Sequence, residues 1–288
     1  MSQRYAELSA RIASVGQLGS VVAAMRGIAA ARAQQSRKQL AGVRAYADIV
    51  AAAIAQALAL MPSDISQPTT DDAPQLCVLF CAEQGFAGAY SEHIFDAAGI
   101  DASRRAPLLI VGRRGLRLAQ ARGLRVDWSA PMVAQLDNVG ALANRIVQAI
   151  YAQLHTTRST AADIVYAAPS SGTAGGIAVQ RRSLLPLDHR LFQHHNSTAA
   201  PLLNLQPAQL LDQLAAEYLF AELSAAILDS YAAENSARMQ AMAAARDNIV
   251  RRLDTLSLEQ RLARQDEITA ELVELAAGTE AARALPGS

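Results

Sequence analysis

The chain has 288 residues, 51% of them apolar and 18% charged, and its 26 basic side chains balance its 26 acidic ones. This balance gives no electrostatic basis for nucleic acid as the main partner, and the high apolar content excludes an intrinsically disordered chain. Residues 1–8 lack the apolar stretch of a signal peptide, and no run reaches the roughly 20 apolar residues needed to span a bilayer. We therefore expect a soluble chain without direct insertion into a bilayer.

The N-terminal part of the chain predicts one long helix. Residues 1–61 contain no proline, which would break a helix interior, and alanine is frequent among them. Apolar side chains recur there at spacings that keep them on one face, as in the narrow stripe of a coiled-coil helix. The members of this stripe are Ile12, Val15, Val22, Met25 and Ile28.

The C-terminal part of the chain predicts a second long helix. Residues 208–285 contain no proline, residues 208–277 contain no glycine, and Gly278 stands where the helix is expected to end. The apolar stripe of this helix consists of Met242, Ile249, Leu253, Leu256, Ile268, Leu272 and Leu275. Because a long helix of this kind is stable only when its stripe is covered, we expect residues 1–61 and 208–283 to pair as a long antiparallel coiled coil.

The middle of the chain alternates short apolar runs with helical patterns. Residues 75–82, 107–111 and 162–167 are typical of strands, and the helical patterns fall at about 88–98, 114–122 and 137–155. The segment 176–187 is expected to add an edge strand. Strands that alternate with helices form a mostly parallel sheet. The predicted fold class is therefore α/β, with a central Rossmann-like α/β domain at 75–192 in addition to the coiled coil.

Two glycine-containing turns in the middle suggest ligand binding. The turn at 85–88, Gly-Phe-Ala-Gly, does not match the dinucleotide-binding G-x-G-x-x-G pattern and lacks the Lys-Ser/Thr ending of a P-loop. The turn at 112–115, Gly-Arg-Arg-Gly, can bind an anion at a helix start, although a plain turn is favoured. No serine has an organised histidine or acidic partner in the pattern. The sequence therefore predicts no catalytic residue and no cofactor.

Cysteine and histidine give no pattern of a metal site. Cys77 and Cys81 lie in one apolar run and are expected to be buried, reduced thiols whose sulfurs point to opposite faces of a strand. His189, His194 and His195 lie near a polar link and have no further ligands at suitable spacing. We expect neither a disulfide nor a bound metal.

Two C-terminal segments, 233–248 and 261–278, combine polar and apolar residues in a specific order. Arg264, Gln265, Thr269 and Glu271 place directional hydrogen-bonding groups on a helix whose pairing needs only apolar bulk, which indicates a partner-contacting face. The two segments resemble the signature of the gamma subunit of F-type ATP synthases. The matching residues are Glu234, Ala237, Arg238, Met239, Ala241, Met242, Ala245, Asn248, Arg264, Gln265, Ile268, Thr269, Glu271, Glu274 and Gly278.

The resemblance extends over nearly the whole chain. Residues 11–15, Ala24 with Met25, the turn at 85–88 and residues 184–187 also follow the order of that family. The lysines typical of the family's first helix are replaced by Ser20, Val21, Val22 and Ala23. This departure fits the alternative ATP synthase that some bacteria carry.

The resemblance implies a non-catalytic rotor subunit of the central stalk, which couples ion flow through the membrane sector to ATP synthesis or hydrolysis. Its implied partners are the alpha and beta subunits of the catalytic hexamer, the epsilon subunit and the c-ring. Its implied location is peripheral, at the cytoplasmic face of the bacterial inner membrane. The residues expected to contact partners or to hold the paired helices are Met25, Arg238, Met242, Arg264, Gln265, Thr269 and Glu271.

Two alternatives from other classes remain open. A nucleotide-binding α/β enzyme with helical dimerisation arms would bind ATP or NAD as the purified chain. A free-standing coiled-coil scaffold would form a stable homodimer without other subunits.

Overall fold

The computed structural model describes residues 3–60, 75–101, 103, 106–157, 159–170, 176–187, 192 and 204–284. The helices are α1 Gln3–Ala59, α2 Tyr90–Ala98, α3 Arg113–Ala121, α4 Val139–Thr157 and α5 Pro207–Ala284, with a short 3-10 turn at Leu136–Asn138. The strands are β1 Leu76–Phe80, β2 Leu108–Val111, β3 Trp128–Ala130, β4 Ala162–Pro169 and β5 Ile177–Leu185. His189, His194 and His195 lie outside the described residues.

The two proline-free ends form α1 and α5, as predicted. Helix α5 begins at Pro207, and proline suits the first turn of a helix because its missing N–H has no helical partner there. The predicted helix end at Gly278 is wrong, because α5 continues to Ala284. A single glycine lowers helix stability by only about 1 kcal/mol and does not stop a helix by itself.

The sheet has the strand order β3-β2-β1-β4-β5. Strands β1 to β4 are parallel, and β5 pairs with β4 in the antiparallel direction at the edge, as expected for the segment 176–187. This order places β1 and β4 at the point where the connections change direction, which is where open α/β sheets bind ligands. Strand β3 was not predicted, because three residues show no apolar alternation.

Alternate side chains of β1 enter two different apolar cores. Leu76, Val78 and Phe80 pack in a cluster that includes residues of α4 and α5, whereas Cys77, Leu79 and Cys81 pack with α2 and α3. Both cysteines are buried, as expected, but they face the same side of the sheet. The prediction of opposite faces is wrong, because a step of four residues along a strand is even and returns to the same face.

The chain divides into two compact units. The first contains residues 3–28 and 241–284, and the second contains residues 29–240 with the sheet. Each long helix contributes to both units, so the division at 1–61, 75–192 and 208–283 stays a prediction as a domain assignment.

In the first unit, α1 and α5 run antiparallel. Leu8 packs with Leu256 and Ala263, and Gln260 Nε2 donates a hydrogen bond of 2.7 Å to Ser9 Oγ. Most of the predicted stripe is buried or half-buried there. Four of its members are exposed, with exposed fractions between 49% and 66%: Ile28, Ile268, Leu272 and Leu275.

The exposed members of the C-terminal stripe have a simple cause. Because Ser9 lies opposite Gln260 and α1 begins at Gln3, the cover that α1 provides ends only a few residues after Gln260. Ile268, Leu272 and Leu275 lie beyond that point. We call residues 264–284 the free end of α5, which has Tyr5 of α1 beside its first two turns and extends beyond the start of α1 at Gln3.

In the second unit, α1 and α5 are again antiparallel and are joined by polar contacts. Ser36 Oγ donates to the carbonyl of Leu228 at 2.7 Å, and the Tyr46 hydroxyl donates to Glu217 Oε2 at 2.7 Å. Apolar residues of α5 close the core on one face of the sheet. Those in the shared cluster are Leu219, Leu223, Ala225, Ala226, Ile227, Leu228 and Tyr231.

Helix α1 contains an 18-residue stretch that is apolar enough, by length and composition alone, to cross a membrane. The sequence pattern had given no such stretch, because alanine raises the mean hydropathy without forming an uninterrupted run of large apolar residues. Helices of water-soluble proteins pass the same test. The absence of bilayer insertion therefore stays a prediction.

Candidate functional site

The first candidate site is the turn that follows β1, at the carboxyl edge of the sheet. A dinucleotide or phosphate would be held there by backbone N–H groups. The carboxylate of Glu234, on α5, already accepts hydrogen bonds from the backbone N–H of Glu83 at 3.1 Å and of Gln84 at 3.3 Å. The chain's own carboxylate thus takes the position that a ligand phosphate would need.

Arg238 completes this arrangement one helical turn later on α5. Its guanidinium donates to Glu234 Oε1 at 2.5 Å and to the carbonyl oxygens of Gln84 and Gly85 at 3.4 and 3.2 Å. It also donates to Asn235 Oδ1 at 3.0 Å. The side chains of Arg238 and Glu234 are only 7% and 5% exposed, so this is a buried, hydrogen-bonded ion pair.

Glu83 extends the same network along the edge of the sheet. Its Oε2 accepts from the backbone N–H of Arg113 at 3.1 Å and of Met132 at 2.9 Å, and its Oε1 pairs with Arg113 Nε at 3.0 Å. The backbone N–H of Arg114 donates to the carbonyl of Ala82 at 3.0 Å. The start of α3 therefore holds an internal carboxylate, and anion binding at the turn 112–115 is not supported.

These contacts bear on the open alternatives. The N–H groups of Glu83 and Gln84, directly before the turn at 85–88, and those of residues 112–114 in the second turn are bonded to oxygen atoms of the chain itself. A nucleotide-binding enzyme is therefore not favoured. Among the described residues, no group of three or more histidine, cysteine, aspartate or glutamate side chains is placed to hold a metal ion.

The predicted contact residues fall into two sets. Arg264, Gln265, Thr269 and Glu271 are exposed on the free end of α5, as a partner-contacting face requires. Arg238 and Met242 are buried, at 6% and 4% exposure, and their role in contacting partners or holding the paired helices stays a prediction. The guanidinium of Arg238 is bonded to the carbonyl oxygens of Gln84 and Gly85. The side chain of Met242 is buried within the first unit. Met25 is half-buried.

The exposed set divides between two sides of the helix. Arg264 and Glu271, seven residues apart, line a shallow groove together with Tyr5, Glu267 and Ile268. Gln265 and Thr269, four residues apart, line a neighbouring groove with Asp266, Ala270 and Val273. Thr269 Oγ1 donates to the carbonyl of Gln265 at 2.9 Å. The free end of α5 therefore presents polar groups to two sides at once.

Sequence reasoning missed Glu83 and Glu234 as site residues. Glu234 was a match to the family pattern, and its four-residue spacing to Arg238 was the available signal of an ion pair. Nothing in the sequence indicated that both would reach the 83–85 turn, because about 150 residues separate them from it.

A buried carboxyl between α1 and α5 gives the second unit a pH dependence. Burial raises the pKa of Asp229 above its usual value of 3.8, and the positive charge of Arg44, 3.0 Å away, opposes the rise, with a smaller contribution from Arg182. The folded chain therefore binds a proton at Asp229 more tightly than the unfolded chain. The contribution of protonated Asp229 to the free energy of unfolding is complete below about pH 3.8. This contribution is lost as the pH rises through the folded-state pKa of Asp229.

We expect Asp229→Asn to remove this pH dependence. The free energy of unfolding of the asparagine variant relative to the natural chain should rise with pH from about pH 3.8 and level off above the folded-state pKa. The rise should be about 1.4 kcal/mol for each unit by which folding raises the pKa. Urea unfolding of both chains over a pH series measures it. A difference that does not change with pH would contradict the assignment.

A family model described as ATP synthase matches residues 4–282. The chain belongs to that family. Its relatives include proteins named ATP synthase gamma chain from Ruegeria pomeroyi, 28% identical with 96% of this chain and 98% of the relative covered, and from Amoebophilus asiaticus, 27% identical with 96% and 97% covered. The resemblance to the gamma subunit is thereby confirmed.

Solved structures of the family share the fold. The rotor of the Euglena gracilis mitochondrial ATP synthase matches with a TM-score of 0.62 at 12% identity, over 92% of this chain and 98% of that one. The central stalk of the Tetrahymena thermophila mitochondrial enzyme matches with a TM-score of 0.56 at 17% identity, over 78% and 99%. The predicted α/β fold class with long terminal helices is confirmed, and the gamma-type rotor subunit is the function that these matches support.

Proposed function

We propose that this gamma-type chain turns inside a hexamer of alpha and beta subunits, which hold the catalytic sites, and so couples ion flow through the membrane sector to ATP synthesis or hydrolysis. One observation carries the proposal. The free end of α5 leaves the cover of α1 and exposes both apolar side chains and the polar set Arg264, Gln265, Thr269 and Glu271. In a water-soluble assembly, an exposed apolar helix end needs a partner that surrounds it.

The mechanism follows from asymmetry. A shaft with polar groups on some sides and apolar groups on others makes different contacts with each of the surrounding subunits. Rotation changes which subunit meets which side, and each catalytic site then shifts between conformations according to the difference in contact free energy. Gln265 and Thr269 on one side, with Arg264 and Glu271 on another, supply such a difference.

The remaining partners follow from the family. We propose that the α/β domain contacts the c-ring and the epsilon subunit, and that the assembly lies at the cytoplasmic face of a bacterial inner membrane. We propose no insertion of α1 into the bilayer, because its Leu8, Ile12 and Val15 pack with α5 in a water-compatible coiled coil. The ion that the complex carries is selected elsewhere in the complex.

Affinity purification of the tagged chain from its own cells tests the proposal. Identification of alpha- and beta-type subunits among the purified proteins is the expected result. A homodimer alone would support the scaffold alternative, and binding of ATP or NAD to the purified chain in calorimetry would support the enzyme alternative. Either outcome, without alpha- and beta-type partners, would overturn the proposal.

We expect Arg264→Ala to lower ATP turnover of the assembled complex by about tenfold, because a hydrogen bond to a charged group is worth roughly 1.5–3 kcal/mol. The isolated chain should unfold at the same denaturant concentration, since Arg264 is exposed. Arg125→Ala is the matched control, with a side chain 89% exposed on the loop before β3. Equal turnover of the Arg264→Ala and natural complexes would remove Arg264 from the contact face.

A further inference from the structure

Phe86 stands in an unfavourable backbone conformation. Its φ is 62°, in the left-handed region that favours glycine, and 68% of the residue is exposed. An exposed ring gains little from packing, so it does not stabilise this conformation itself. A non-glycine residue remains left-handed only where the surrounding structure holds the backbone there.

Two side chains of α5, Glu234 and Arg238, form hydrogen bonds to the backbone directly before Phe86. Glu234 accepts from the N–H groups of Glu83 and Gln84, and Arg238 donates to the carbonyl oxygens of Gln84 and Gly85. The three residues before Phe86 are thus bonded at both donors and acceptors. These bonds are charge-assisted and nearly fully buried, which makes them the strong kind.

Glu83 carries the connection to the other strands. It follows β1, and its carboxylate bonds the backbone N–H of Arg113 after β2 and of Met132 after β3. We call Glu83, Glu234 and Arg238 the edge clamp. One continuous polar network therefore joins the carboxyl ends of three strands to one turn of α5.

We infer that the edge clamp is a positioning device that couples the α/β domain to α5 in rotation. The core contact between the sheet and α5 is otherwise apolar, and an ion pair at the edge strand, Arg182 with Glu222, is 45% exposed on the arginine side. Apolar packing is non-directional, so packed elements can slide past each other by small shear motions. Directional hydrogen bonds to buried charges resist such a slide. Torque applied to the α/β domain then turns α5 without lag. The inference rests on the proposed rotor function.

The first experiment measures the clamp in the full chain. Native-state hydrogen exchange at the amides of Glu83 and Gln84 should accelerate by about tenfold or more in Glu234→Gln, because the charged acceptor is lost. Arg238→Lys keeps the charge, and with it the ion pair, but loses the fork to two carbonyls, and it should accelerate exchange near Phe86. Glu217→Gln is the matched control, since Glu217 is exposed on α5 and bonds only Tyr46 of α1 among the described residues.

A double variant tests the link to Phe86. In Phe86→Gly the backbone adopts a positive φ without strain. We expect Glu234→Gln with Phe86→Gly to exchange more slowly at Gln84 than Glu234→Gln alone. Equal exchange in the single and double variants would show that the clamp does not hold Phe86.

The second experiment measures coupling in the assembled complex. In inverted membrane vesicles, the membrane potential generated for each ATP hydrolysed is read with a voltage-sensitive dye, which requires no knowledge of the ion. We expect Glu234→Gln and Arg238→Lys to lower this ratio by about twofold or more. Sliding between α5 and the α/β domain would let ATP hydrolysis proceed without a full rotation of the α/β domain. Glu217→Gln should leave the ratio unchanged.

Each outcome decides between the claims. Faster exchange with an unchanged ratio would overturn the coupling role, and unchanged exchange would overturn the clamp itself. An equal decrease of the membrane potential per ATP hydrolysed in Glu217→Gln would also overturn the coupling role, because any substitution on α5 would then have the same effect. Failure of the natural chain to join the complex would contradict the proposed function, and the exchange experiment would still decide the clamp.

Discussion

Arg238→Met is expected to lower the free energy of unfolding by about 3–5 kcal/mol, the range for removing one partner of a buried ion pair. Methionine preserves most of the side-chain volume but removes the cation that pairs with Glu234. The Glu234 side chain is only 5% exposed, so its carboxylate would remain buried and unpaired. The carbonyl oxygens of Gln84 and Gly85 lose their donor as well. Denaturant unfolding of the purified chain, followed by circular dichroism, measures the change.

A second variant separates the missing charge from the missing contacts. Glu234→Leu combined with Arg238→Met removes both charges, and it should destabilise the chain less than Arg238→Met alone, because no buried charge remains unpaired. Arg125→Met is the surface control, and its loss should be within about 1 kcal/mol, since its pair with Asp127 is exposed on the arginine side. A double variant less stable than the single one would contradict the account of a buried charge.

Gly115→Ala is expected to destabilise the chain by about 3 kcal/mol, at the upper end of the usual range for overpacking. A Cβ added at Gly115 would overlap Cβ and Sγ of Cys81, which follows β1. The space is closed because α3 lies directly on that strand. Thermal and denaturant unfolding both measure the loss.

The control variant for this prediction is expected to stabilise the chain instead of destabilising it. Gly42→Ala adds the same methyl group to a helix position with no atom within 4 Å, and it should stabilise the chain by roughly 0.5–1 kcal/mol. Combining Gly115→Ala with Cys81→Gly should recover part of the loss, because the overlapping atoms are gone. Losses that simply add in the double variant would show that the clash with Cys81 is not the cause.

Local patterns predicted most of the secondary structure. The absence of proline marked both long helices to within a few residues, and the alternation of apolar runs with helical patterns marked β1, β2, β4 and β5. These features depend on neighbouring residues alone. Strand β3 could not be predicted in this way, because Trp128–Ala130 is too short to show a period. Its strand conformation depends on pairing with β2.

Long-range contacts were beyond local patterns. The stripe of α5 continues through Ile268, Leu272 and Leu275 with unchanged spacing, and the spacing does not show where the covering helix starts. The bonds of Arg238 to the turn after β1 were not predicted for a similar reason. A charged residue on an alanine-rich helix is usually solvated, and only the fold places it against the turn at Gln84 and Gly85.

Rotation of this chain inside its complex tests the central claim most directly. Cys77 and Cys81 are buried, so a single cysteine introduced at the exposed Arg125 position can be biotinylated selectively and linked to a bead. With the complex fixed to glass through its surrounding subunits, the account predicts stepwise rotation in one direction on addition of ATP. A stationary bead on a complex that hydrolyses ATP would contradict it.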